Sequence, residues 1–226
     1  MDNKYDIAKD WLPRYTGMPV DDFGDYILLT NFQNYVEQFA ERFNADIQGE
    51  NKPMSSCTNS DGLSIINFGI GSPNAATIMD LLVARNPKGV LFLGKCGGLK
   101  ETSEIGNLIL PIAAIRGDGT SNDYFPPEVP ALPSFKLHKF VSDTLLDYGQ
   151  EYRTGVIYTT NRATGNIVII IELFIVFFVR LHVFYACYFL NFTITHFLTA
   201  TCTTVLVRLS HAHPTYPFVR IRQICC

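Results

Sequence analysis

Three runs rich in glycine and polar residues follow apolar segments, where backbone and side chains could hold a negatively charged or hydroxyl-rich ligand. In "VLFLGKCGGLK" (Val90 to Lys100) a greasy run stops on Gly94 and then presents Lys95, Cys96, Gly97 and Gly98. A phosphate cradle, a redox cysteine and a plain tight turn all fit that pattern. It is not a Walker loop, because it lacks the four-residue spacer and the Ser or Thr after the lysine. Lys95 could pair with a phosphate or carboxylate as a point charge. Cys96 as a nucleophile would need a base, yet His138 is the single histidine before residue 163. A buried or substrate-touching small residue is the plainer reading of Cys96.

The second run, "FGIGSPNAATI", sets Gly69, Gly71, Ser72 and Asn74 between a strand pattern and a helix pattern. Backbone N–H groups at a helix start attract anions, and glycines let a phosphate approach closely. The spacing is not G-x-G-x-x-G, since its last position is Asn74, so a dinucleotide site does not follow. An ordinary strand-to-helix turn with a capped helix explains the same residues. The third run, "IRGDGTSNDYFPPEVPALPSF" (Ile115 to Phe135), is a long loop rich in Pro, Gly, Asp and Ser. Loops of that length inside compact domains usually carry function. Arg116, Thr120 and Ser121 could donate to a phosphate or sugar, while Asp118, Asp123 and Glu128 could accept from hydroxyls. Turn chemistry accounts for each of them singly.

Strands and helices in alternation must position these runs. "DYILLTNF" and "GLSIINFGIG" read as buried strands, as do "VLFLG", "GNLILPIAAIRGDG" and "RTGVIYTTNR". Between them "NYVEQFAERFN" repeats Tyr35, Val36, Phe39, Ala40 and Phe43 at helical spacing, with Glu37, Glu41 and Arg42 outside. "SPNAATIMDLLVARNPKG" is a helix capped by Ser72 or Asn74, and "FKLHKFVSDTLLDYG" one closed by Gly149. Alternation of this kind predicts an α/β sandwich on a parallel or mixed sheet. Ligands in such folds sit at the carboxyl ends of the strands, where all three runs fall.

With 226 residues the chain is long enough for one domain with a sizeable core. Its net charge of −3 gives no reason to expect a nucleic-acid partner. That average hides two unlike parts. Of 18 basic and 21 acidic residues, residues 163–226 hold only Arg180, Arg208, Arg220, Arg222 and Glu172, which leaves 14 and 20 in residues 1–162. The six cysteines include no C-x-x-C pair, so neither zinc nor thioredoxin-type chemistry is signalled. The charged start "MDNKYDIAKDWLPRY" has no apolar core of a secretory signal. A reducing, cytoplasmic setting is the expectation.

Taken together, "WLPRYTGMPVDDFGDYILLTNFQNYV", "INFGIGSPNAATIMDLL", "LFLGKCGGLKETSEIGNLILPIAAIRGDGTSNDYFPPEVPALPSF" and "TGVIYTTNR" resemble the AMP nucleosidase family. That family lies within the nucleoside phosphorylase superfamily, alongside purine nucleoside and uridine phosphorylases. The resemblance covers about residues 11–162, and it implies a nucleoside-phosphorylase-like three-layer α/β sandwich with a central mixed sheet, C-terminally truncated here. It further implies hydrolysis of AMP to adenine and ribose 5-phosphate by a homo-oligomer, a hexamer by family, without metal or organic cofactor. By resemblance, Asn31 and the loop carrying Gly71, Ser72 and Asn74 line the phosphate and ribose side. Lys95, Cys96 and Gly97 follow the strand that carries phosphate and base contacts, Thr120 lies on the long loop, and Asn161 and Arg162 approach the base. Relatives that use inorganic phosphate carry an arginine and a serine where this chain has Phe92 and Lys95. That departure favours a nucleotide hydrolase; a purine nucleoside phosphorylase and a non-enzymatic truncated product are the alternatives.

The resemblance stops after Arg162. The family protonates the departing base with an aspartate after the fifth strand and binds the ribose with a glutamate that follows a methionine. No aspartate occurs after Asp147 and no methionine after Met79, so no catalytic residue can be assigned. Residues 163–226 are rich in Phe, Ile, Val, Leu, Thr and His, with Gly165 their single glycine. A membrane segment fits poorly, because Glu172 and Arg180 interrupt the apolar run. A retained intron or a frameshift suits the pyrimidine-rich coding that this composition implies. The expected organisation is therefore an incomplete catalytic domain over 1–162 and an aberrant tail over 163–226.

Overall fold

The computed structural model describes residues 3–98 and 102–160, and the backbone path of residues 169–177. The described residues fall into two compact units, the first up to Leu93 and the second from Gly94 to Val176.

The first unit opens with helix α1 (Lys4–Thr16), which turns only Ala8, Leu12 and Thr16 inward, one per turn along a narrow stripe. Strand β1 (Tyr26–Thr30) is followed by helix α2 (Gln33–Phe43), strands β2 (Ser55–Thr58) and β3 (Leu63–Asn67), helix α3 (Ser72–Leu81) and strand β4 (Gly89–Gly98), whose residues up to Leu93 belong to this unit. Its strands lie in the order β2-β3-β1-β4, with β1 parallel to β3 and β4, and β2 antiparallel to β3. Ile27, Leu28 and Leu29 of β1 are all buried, as are Ile65 and Ile66 of β3, so both faces of these strands are covered. That is why they read as continuous apolar runs instead of alternating ones. Helix α2 buries Tyr35, Val36 and Phe39 and leaves Glu37, Glu41 and Arg42 outside, as its spacing predicts.

Asp25 fixes where β1 and β4 begin. Its carboxylate takes Arg85 at 2.6 Å and Lys88 at 2.5 Å, its carbonyl accepts the Lys88 N–H, and Arg85 Nε donates to the Phe23 carbonyl. The Lys88 hydrogen bond, aided by the nearby Arg85 charge, holds the Asp25 carboxyl below its ordinary value although burial opposes the shift.

In the second unit, strands β5 (Leu108–Gly117) and β6 (Tyr152–Thr160) pair in parallel, and helix α4 (Phe135–Asp147) between them in sequence packs on β5 through a face that includes Val141 and Leu145. The β5–β6 register slips between Pro111 and Ala113, where a proline without an N–H meets the ladder. Strand β7 (Ile169–Phe177) runs parallel to β5, with Ile109 opposite Leu173. This strand falls inside the segment whose composition departs from the rest. The remainder of that segment, and with it Asn161 and Arg162, lies outside the described residues. No helix among the described residues is long and apolar enough to cross a membrane.

Three local expectations need correction. The strand predicted to stop at Gly94 continues through Gly98, so "GKCGG" is extended backbone and not a turn. The cap of α3 is Gly71 instead of Ser72 or Asn74, and no side chain caps that end. Helix α1 and strands β2 and β7 are elements that the periodicity did not announce.

Candidate functional site

The first unit gathers Asn31, Gly71, Ser72 and Asn74 at one edge, because β1 and β3 are parallel and end side by side with Thr30 opposite Asn67. The ladder continues one step beyond the strands, where the Phe68 N–H donates to the Thr30 carbonyl at 3.0 Å. Thr30 Oγ1 accepts the Phe32 N–H at 3.1 Å, which turns the chain out of β1 and into α2. Asn31 sits on that corner. Its Oδ1 is closed off from solvent and has no hydrogen-bond partner among the described residues. A buried amide oxygen without a donor is costly, and a ligand hydroxyl or N–H would satisfy it.

The turn after β3 is built from glycines for a geometric reason. Gly69 and Gly71 hold φ of 77° and 98°, the left-handed side that side chains resist. Asn67 Oδ1 accepts the Gly69 N–H at 2.9 Å, which closes the turn. Asn74 Nδ2 donates to the Ile70 carbonyl at 3.0 Å, so this amide shapes the loop from within. Ser72 opens α3 and Pro73, which lacks an N–H, follows it. No side chain caps this end, Pro73 carries no N–H, and the Asn74 and Ala75 N–H groups donate to the Gly71 carbonyl at 3.1 and 3.2 Å.

Sequence reasoning missed the residues beside this edge. Gln33 Oε1 accepts from Ser55 Oγ at 2.6 Å and from Asn67 Nδ2 at 2.9 Å, tying the start of α2 to β2 and β3. These three residues line an open cleft of about 480 Å³ together with Glu50 and Lys52. Gln33 lay within a quoted run, but nothing in spacing pairs it with residues 22 and 34 positions away. The polar stretch 44–53 carried no recognisable motif.

In the second unit, Lys95, Cys96 and Gly97 occupy the last third of β4. Alternation along a strand puts Lys95 and Gly97 on one face and Cys96 on the other. Lys95 is half-buried, whereas Cys96 is 2% exposed and burial pushes its thiol far above the ordinary range. Burial likewise pushes Cys57 up to about 11. Neither thiol ionises near neutral pH, which removes the nucleophilic and redox readings of Cys96. Phe92 on the same strand is a core residue, its ring 5.6 Å from that of Phe68.

Thr120 is half-buried and opens a short 3₁₀ turn (Thr120–Asp123) on the loop after β5. Two neighbours that could have met a ligand are engaged with the loop itself. The Arg116 guanidinium donates to the carbonyls of Ser121, Phe125 and Pro126. The Thr159 hydroxyl lies 2.7 Å from the Asp118 carboxylate. Among the described residues no cluster of three His, Cys, Asp or Glu is placed to hold a metal ion.

A mixed sheet with helices between its parallel strands, glycine turns at their carboxyl ends and a long loop after β5 define an α/β enzyme-type scaffold. The profile described as the phosphorylase superfamily matches residues 25–166, and the chain belongs to that family. It is 27% identical over 202 residues to the AMP nucleosidase of Escherichia coli (strain K12), covering 70% of this chain and 42% of that protein. The uridine phosphorylase of Treponema pallidum (strain Nichols) is 26% identical, covering 67% and 60%. The chain thus spans less than half the length of the AMP nucleosidase it matches. Among solved structures, the AMP nucleosidase from Bacteroides thetaiotaomicron VPI-5482 is 54% identical with a TM-score of 0.69, covering 71% of this chain and 70% of that one. The purine nucleoside phosphorylase of Toxoplasma gondii, at 18% identity and a TM-score of 0.60, shares the fold.

Proposed function

We propose that this chain is an AMP nucleosidase-like N-glycosidase that binds AMP and separates adenine from ribose 5-phosphate. The observation that carries this reading is the 54% identity to a solved AMP nucleosidase over 71% of the chain. Loss of adenine leaves an oxocarbenium-like ribosyl cation, so the protein must hold the sugar phosphate, shield the cation and protonate the purine. Asn31, with its unpartnered buried Oδ1, is suited to accept from a ribose hydroxyl or a base N–H. The Gly71–Ser72 helix start and the Lys95 ammonium are suited to the phosphate as N–H donors and a point charge. The backbone of Cys96 and Gly97, the Thr120 hydroxyl, Asn74, Asn161 and Arg162 complete the proposed contacts. The working form is a homo-oligomer, hexameric by family, in the cytoplasm.

A second reading keeps the binding half without turnover. It is favoured by one fact: residues 148–226 contain no aspartate to protonate adenine. On this view residues 1–162 are an incomplete catalytic domain and 163–226 an aberrant tail. Adenine release from AMP, with and without phosphate, separates the cases. Release from AMP that does not need phosphate supports the nucleosidase. Phosphate-dependent cleavage of adenosine, with AMP untouched, contradicts it. No release from this chain, but release once residues 163–226 are exchanged for the C-terminal part of the Bacteroides relative, establishes the second reading.

A further inference from the structure

We propose that Arg116 is a positioning residue whose guanidinium holds the loop after β5 in the arrangement that presents Thr120 to the sugar phosphate, an inference that rests on the nucleotide reading above. The loop from Asp118 to Ser134 has little apolar anchoring of its own. Tyr124, Phe125, Val129 and Leu132 are 49%, 61%, 43% and 56% exposed, so side-chain burial does not fix the path of residues 120–126. Its internal hydrogen bonds are local turns, such as Asn122 N–H to the Gly119 carbonyl and Phe125 N–H to the Ser121 carbonyl. Attachment to the sheet includes the following contacts among the described residues. Ala131 and Ala114 exchange two backbone bonds of 2.8 and 3.1 Å, and Asp118 meets Thr159. Between these, Arg116 spans the exposed stretch: Nη1 donates to Ser121 at 2.8 Å and to Phe125 at 3.1 Å, and Nη2 to Pro126.

Arg116 makes no ion pair among the described residues, so carbonyl oxygens serve as the partners of its positive charge. The planar fork holds Nη1 and Nη2 at a fixed spacing on separate carbonyls, whereas a lysine ammonium would offer its three donors from one nitrogen on a flexible stem. The carbonyl of Ser121 belongs to the residue after Thr120, so the clamp acts one peptide from the proposed contact. Gly119 before it, at φ 87°, supplies no restraint of its own. Fixing the loop before binding lowers the ordering cost that a ligand would otherwise meet.

The test combines hydrogen exchange with AMP titration of the full chain and of Arg116→Lys, Arg116→Met, Thr120→Val and the Arg116→Met/Thr120→Val double variant. Both Arg116 variants should exchange the hydrogen-bonded amides of Asn122, Tyr124 and Phe125 about tenfold faster or more, with β1 and β3 unchanged, and lysine should not rescue. Arg116→Met and Thr120→Val should each weaken AMP about tenfold, and the double variant should be no weaker than Arg116→Met alone. Independent, multiplicative losses overturn the positioning role, because Thr120 would then be presented without the clamp. Unchanged exchange in both Arg116 variants overturns the clamp itself. Failure of the unaltered chain to bind AMP counts against the nucleotide reading, and loop exchange then decides the clamp alone.

Discussion

The two units hold their candidate residues by different means. In the first, Asn31 and the Gly69–Asn74 turn extend directly from β1 and β3, whose side chains are buried on both faces and whose ladder runs one step past the strand ends. In the second, Thr120 rides on a loop whose large apolar side chains are exposed and whose middle is tied to the Arg116 guanidinium. Placement by a packed core is robust to surface change and sensitive to lost volume. Placement by a polar clamp is the reverse, and it leaves a loop free to adjust around a ligand.

Core truncation in the first unit gives the largest expected effect. Ile65→Ala and Phe39→Ala, both fully buried, should each lose about 3–4 kcal/mol of unfolding free energy in denaturant titrations. Phe125→Ala, removing a ring 61% exposed, should stay within about 0.5 kcal/mol. Equal losses at Ile65 and Phe125 would break the contrast between the units. Gly71→Ala comes next. At φ 98° a Cβ is strained by about 1–3 kcal/mol, so this variant should destabilise and also weaken AMP binding.

Asp25→Asn should cost less than the core truncations and Gly71→Ala. Asp25 and its two partners, Arg85 and Lys88, are partly exposed and screened by solvent, so their contribution is small. Its sign with pH is fixed by the direction of the shift. The folded carboxyl lies below the ordinary 3.8, so its contribution is complete above that value and disappears as pH falls through the depressed one. The stability difference between the parent chain and Asp25→Asn should therefore shrink below about pH 4. A difference that persists unchanged at pH 2 would show that the carboxylate charge is not what joins the starts of β1 and β4.

Much of this was legible in the amino-acid order, for physical reasons that also mark where legibility ended. Buried parallel strands announce themselves as apolar runs, and α2 as a 3.6-residue repeat. The glycine turn after β3 was readable because only glycine takes φ of 77° and 98° easily. Helix α1 escaped notice because it is polar on most sides and has Pro13 inside, and β2 because "SSCT" is four small residues with little apolar signal. "GKCGG" looked like a turn, yet strand pairing overrode the glycines and carried β4 to Gly98. Arg116 and Gln33 could be named as polar residues in useful runs. Their actual partners, loop carbonyls in one case and two other strands in the other, are set by tertiary placement that spacing does not encode.

On the proposed function, the carboxyl ends of these strands recognise a nucleotide and not a nucleoside. Calorimetric titration of the chain with AMP and with adenosine, each with and without inorganic phosphate, tests it most directly. AMP should bind about tenfold or more tighter than adenosine, since a phosphate held by N–H donors and a lysine adds more than about 1.4 kcal/mol. Adenosine binding as tightly as AMP, and tightening further when phosphate is added, would contradict it.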